Sequence, residues 1–107
     1  MKFYVKDSEF KDEPYVFFAG YCEIQELTRY MEPIAYSRNA NGWKYDVYKI
    51  QNVYICTGYG SPKGCKCKRL ESAIWKKYID RFNSSDWIER KKAQYELAQE
   101  LRDTVKL

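Results

Sequence analysis

The sequence predicts an α+β fold: a small antiparallel β-sheet meander packed by one short helix and two C-terminal helices, all within one domain spanning residues 1–107. Three observations predict it. Residues 43–48 alternate with period two between turn signals, and Gln51-Asn52 turns the chain back into a second strand, residues 53–58. Residues 21–31 carry one short helical repeat that a proline stops. Residues 70–105 hold two amphipathic helical patterns separated by "NSSD".

The elements follow in order. "KFYV" and "PYVFF" read as short strands around an acidic turn. Tyr21, Ile24, Leu27, Thr28 and Met31 share one helical face, and Pro33 ends that helix. "IAYS" is a short strand, and Asn41-Gly42 is a strong hairpin signal. In "WKYDVYKI", Trp43, Tyr45 and Val47 alternate with Lys44, Asp46 and Tyr48, as in a half-buried strand. Gln51-Asn52 turns it back into "VYICTG". The meander has three strands, and the N-terminal pieces bring the sheet to four or five.

In the first C-terminal helix, Leu70 to Phe82, one arc carries Ile74, Trp75, Tyr78, Ile79 and Phe82. Arg69, Lys76, Lys77 and Asp80 occupy the opposite arc, with Arg81 at its border. Asn83-Ser84-Ser85 matches a glycosylation sequon but reads as a helix cap, with Ser84 or Ser85 accepting from the next turn and Asp86 facing the dipole. The last helix runs to about Val105, with a stripe of Trp87, Ile88, Tyr95, Ala98, Leu101 and Val105 interrupted by Lys91 and Arg102. So long a stripe predicts a homodimer through this helix. The expected core is Ile24, Leu27, Trp43, Tyr45, Val47, Val53, Ile55, Ile74, Tyr78, Phe82, Ile88 and Leu101.

Composition bounds the function. The chain has 107 residues, which suits one domain, and 18% of them are aromatic, enough to fill a core and leave rings for a surface. No apolar run approaches the roughly 18 residues of a membrane span, and the N-terminus is charged, so the expected location is cytoplasmic with no membrane partner. The net charge is +4, split as seven basic and eight acidic residues over 1–60 against twelve basic and seven acidic over 61–107. That asymmetry points to an anionic partner.

The basic character begins in "GYGSPKGCKCKRL", residues 58–70. Gly58, Gly60 and Gly64 allow backbone amides to turn toward an anion. Lys63, Lys66, Lys68 and Arg69 supply charge, and the segment leads into a helix N-terminus, itself an anion site. Lys76, Lys77 and Arg81 extend the positive surface, and Tyr59, with Tyr54, offers a ring for stacking on a base. The G-x4-G-K-[ST] pattern of a P-loop is missing. A structural zinc on Cys22, Cys56, Cys65 and Cys67 is the alternative, but Cys65-x-Cys67 is the one close pair, so no cofactor is expected. The chain has no histidine, which removes the commonest general base and the Ser-His and Cys-His dyads; an enzyme is not expected.

The phrases "GYCEIQELTRYMEPIAYS", "NGWKYDVYKI" and "NVYICTGYG", over about residues 20–60, resemble a pattern in small uncharacterised accessory proteins of phages and mobile elements of Gram-positive bacteria. The resemblance carries no functional residue with it. It implies a non-enzymatic protein of the bacterial cytoplasm that antagonises a host defence or nucleic-acid-processing system by binding or sequestration. The charge pattern makes nucleic acid or a nucleotide the expected target. The alternatives are a protein–protein inhibitor module anchored by exposed Tyr and Trp, and a small four-cysteine zinc domain.

Overall fold

In the computed structural model, the described residues are 3–5, 13–39, 42–58 and 67–105. They form an α+β fold. The strands are β1 (Phe3–Tyr4), β2 (Val16–Gly20), β3 (Ala35–Asn39), β4 (Gly42–Ile50), β5 (Val53–Gly58) and β6 (Lys68–Arg69), with α1 (Tyr21–Ile24) between β2 and β3. After β6 come α2 (Ser72–Trp75), a 3-10 turn (Lys76–Tyr78), α3 (Ile79–Phe82) and α4 (Trp87–Val105). The sheet order is β1-β3-β4-β5-β2-β6.

The antiparallel meander β3-β4-β5 is the centre of the sheet, as its alternation predicts. The N-terminal strands do not flank a common turn in the sheet. β1 pairs parallel with β3 on one side, while β2 pairs parallel with β5 and with β6 on the other. Local alternation marks a strand but carries no information about its partner or direction. Gly42 pairs with Asn39 and so belongs to β4, while Asn41, the other half of the expected Asn41-Gly42 turn, lies outside the described residues. The register slips between Ser37 and Arg38.

Both faces of the sheet are apolar. Phe17, Ala19, Tyr48, Ile50, Val53 and Ile55 meet Ile24, Leu27 and the C-terminal helices in the main core. Val5, Val16, Ala35, Tyr45, Val47 and Cys56 form a second cluster, joined by Phe18, Ile34, Tyr54 and Cys67. β5 therefore reads as a nearly continuous apolar run, because it is buried on both sides. In β4, Tyr45 and Val47 face one way and Tyr48 and Ile50 the other, so the expected half-buried strand is in fact buried on both faces.

The helices depart from the sequence pattern in three places. The expected Tyr21–Met31 helix closes after Ile24 and continues as turns to Tyr30. Thr28 Oγ1 donates toward the Ile24 and Gln25 carbonyls at 3.3 Å each, competing with regular helix bonding. Ile24 and Leu27 are buried nonetheless. The Leu70–Phe82 helix starts at Ser72, because the Leu70 amide donates to the Phe18 carbonyl at 2.8 Å and extends the sheet. It then tightens into the 3-10 turn, burying Trp75, Tyr78 and Phe82 but leaving Ile74 half-buried.

The third departure is in α4. Its buried residues are Ala93, Gln94, Leu97, Ala98 and Leu101. Trp87, Ile88 and Tyr95 are exposed, so Ile88 leaves the expected core. The expected stripe includes Ala98 and Leu101 but not Ala93, Gln94 and Leu97, which the close packing also buries. The remaining expected core residues are buried, apart from the half-buried Ile74 and from Trp43, whose side chain lies outside the described ones.

Asp86, not Ser84 or Ser85, caps α4. Its Oδ1 accepts from the Ile88 amide at 3.0 Å, while Ser84 Oγ accepts from the Asp86 amide at 3.1 Å. Asn83 Nδ2 donates to the Glu26 and Ile79 carbonyls at 2.9 and 2.8 Å, tying the α3–α4 corner to the turns after α1. No helix among the described residues is long and apolar enough to cross a membrane.

Candidate binding surfaces

Of the expected anion-site residues, Tyr59, Lys63 and Lys66 lie outside the described residues, as does Cys65. Lys68 and Arg69 are both exposed and form β6 at the sheet edge. Lys68 registers with Phe17 and Arg69 with Phe18. Phe17 belongs to the helix-covered core and Phe18 to the second cluster, so period-two alternation puts the two cations on opposite faces of the sheet. The helix they were expected to lead into begins two residues later, with Glu71 at its N-cap.

Lys76 is exposed, its ammonium 5.9 Å from the centre of the Trp75 ring. Lys77 and Arg81 are matched by carboxylates from α4. Lys77 Nζ donates to both Glu100 oxygens, at 3.0 and 2.8 Å. Arg81 Nε donates to Glu89 at 2.6 Å, and Arg81 Nη2 to Glu96. The hydrogen bond from Lys77 holds the Glu100 carboxyl below the ordinary carboxylate range, against its partial desolvation, and the Tyr78 hydroxyl assists. Arg81 does the same for Glu96. Tyr78 donates to Glu100 at 2.8 Å; burial first, and then this bond, push its phenol up to about 12. Two of the expected anion contacts therefore serve as clamps between α4 and the preceding helical segment.

Cys22 is exposed on α1, Cys56 is buried in β5 within the second cluster, and Cys67 packs partly buried against that cluster. No group of three or more metal-ligating side chains forms among the described residues.

The sequence puts Trp87, Ile88 and Tyr95 on one apolar stripe of α4, with Ile88 in the expected core; the structure turns all three outward, 64%, 48% and 51% exposed. Trp87, Lys91 and Tyr95 recur every four residues and therefore line one face of α4, with Ile88 beside them. Glu89, Glu96 and Glu100 lie on another face, toward Lys77 and Arg81. The outward strip could have been found from the lysine in its centre, since a buried stripe rarely carries one unpaired. Nearby, Arg90 reaches the Tyr30 ring, 4.8 Å from its centroid, and donates to the Ser84 carbonyl at 2.6 Å.

A shallow polar groove of about 580 Å³ runs between α1, the turns after it and Tyr48. Burial raises the Tyr48 phenol, against a hydrogen bond with Thr28 that lowers it. Comparison with known proteins finds no matching family model, no matching curated protein and no matching solved structure.

Proposed function

We propose that this is a non-catalytic binding protein of the accessory type its motifs resemble, and that it captures an acidic surface of a host protein with the outward strip of α4. One observation carries the reading: Trp87, Ile88 and Tyr95 stand exposed around Lys91 on a helix that caps, core packing and ion pairs hold in place. Tryptophan and tyrosine are the residues that most often dominate binding energy, and a rigid helix presents them without an ordering penalty. Lys91 gives the strip a positive sign, which suits an acidic partner and steers its approach. The anionic target expected from the charge pattern thus becomes an acidic protein face, while Lys77 and Arg81 hold the helix that presents the strip.

The test is affinity capture from a Gram-positive bacterial lysate by the tagged protein, repeated with nuclease and with Trp87→Ala/Tyr95→Ala. Capture of one acidic protein that survives nuclease, and that falls at least about tenfold in the double variant, supports the reading. Capture that nuclease abolishes, or that the double variant retains, overturns it in favour of nucleic-acid binding through the β6 edge, where Lys68 and Arg69 are exposed.

A further inference from the structure

We propose that the groove between α1, the turns after it and Tyr48 binds a free α-amino acid with a basic side chain. The groove holds about 580 Å³. At about 30 Å³ per water-sized unit, that is room for about nineteen heavy atoms, enough for such a ligand and the waters that bridge it to the walls. Glu26 and Arg29 line the groove, both exposed and three residues apart. They do not bridge each other, and neither side chain has a hydrogen bond, ion pair or ring contact among the described residues. Asn83 bonds only the Glu26 carbonyl, which leaves the carboxylate open. One open carboxylate and one open guanidinium in the same groove complement a ligand that carries an ammonium and a carboxylate on one carbon. The flat guanidinium fork takes a carboxylate through two hydrogen bonds.

The surroundings select the side chain. Besides burial, which dominates, Asp46 and Glu32 both help to raise the Tyr48 phenol, so both carboxylates stand near the groove. Asp46 has an interaction of its own in the fold, whereas Glu32 is exposed and has no partner among the described residues. Glu26 and Glu32 against Arg29 leave one negative charge, which favours a ligand with one net positive charge. Tyr21, 43% exposed, lines the same groove and offers a ring to the ligand's aliphatic stem or its cation. The backbone that presents these groups is tied down. Thr28 Oγ1 donates toward the Ile24 and Gln25 carbonyls and Asn83 holds the Glu26 carbonyl, which lowers the ordering cost of binding. The site is independent of the Trp87 strip, because its lining comes from residues 21–31 and Tyr48.

The experiment is amide chemical-shift titration of the isotope-labelled protein with L-lysine at neutral pH and low salt, with cadaverine and L-glutamate as comparators. Saturable shifts confined to residues around Tyr21, Gln25, Arg29 and Tyr48 are expected. Both comparators should bind at least about tenfold more weakly, because cadaverine lacks the carboxylate that Arg29 takes and glutamate inverts the side-chain charge. Arg29→Gln and Glu26→Gln should each weaken lysine about tenfold with an unchanged melting temperature, since both positions are exposed. Should one variant fold poorly, the other still decides. Cadaverine or glutamate binding as tightly as lysine, shifts scattered over the surface, no saturation at millimolar concentration, or full binding by a folded Arg29→Gln or Glu26→Gln variant would each overturn the proposal.

Discussion

The rotational setting of α4 decides which of its faces is available for binding, and one pair of substitutions tests it. Leu97 is 0% exposed in the main core, whereas Ile88 on the same helix is 48% exposed. Leu97→Ala deletes about three methylene equivalents at about 0.8 kcal/mol each, roughly 2.4 kcal/mol before any cavity term. Incomplete collapse around the hole raises the total to about 3 kcal/mol, within the usual span of about 2–5. For a domain of this size, with a urea slope of about 1–1.5 kcal/mol per M, the midpoint should fall by about 2–3 M. Ile88→Ala should move stability by no more than about 0.5 kcal/mol. The assay is urea unfolding followed by tryptophan fluorescence and by circular dichroism, with coincident transitions required. If Ile88→Ala costs as much as Leu97→Ala, the helix is turned the other way and the strip is core.

Four further outcomes follow from local geometry. Glu100 has a depressed pKa in the fold, so its stabilisation is present above the ordinary carboxylate value and is lost as pH falls through the folded one; Glu100→Gln should flatten the acid limb of a melting-temperature profile. Tyr78 is raised from 10.0 to about 12, so its contribution is present below 10 and lost as pH rises toward 12; ultraviolet titration should show a late phenol near 12 that Tyr78→Phe removes. Gln51 sits at φ 55° in the β4–β5 turn, where a Cβ is disfavoured; Gln51→Gly should gain up to about 1 kcal/mol, measured as a higher melting temperature. Asp86→Ala should lose about 1 kcal/mol with its cap, measured in the same unfolding assay.

The central meander was legible because each signal in it is local: alternation in 43–48, Gln51-Asn52 between the strands, and the short apolar run 53–58. The flanking strands were legible as strands but not in their pairing, since β1 and β2 find β3 and β5 through contacts far apart in sequence. The break at Ile24 escaped notice because the apolar spacing of Ile24 and Leu27 is the same in a helix and in successive tight turns. The charge reading had a similar limit. A window over residues 63–81 finds mostly cations, yet the carboxylates that match Lys77 and Arg81 lie 23, 8 and 15 residues further along the chain. Basic excess in a segment measures surface potential only after the fold has brought the counter-charges in.

What α4 presents to a partner is therefore best found by subtraction. Ala93, Gln94, Leu97, Ala98 and Leu101 are taken up by the core. Glu89, Glu96 and Glu100 are taken up by Arg81 and Lys77. Arg90 reaches Ser84 and Tyr30, Arg102 bonds Asn52 and Gln99, and Gln99 bonds Asp103. The side chains of Trp87, Lys91 and Tyr95, with Ile88 beside them, are left without an intramolecular hydrogen bond, ion pair or ring contact among the described residues. Scattered apolar side chains on a surface need no explanation, but two large rings and an isoleucine gathered on one helical face are the composition of a binding centre. Fold stability accounts for the other faces of this helix; it gives no reason for this one.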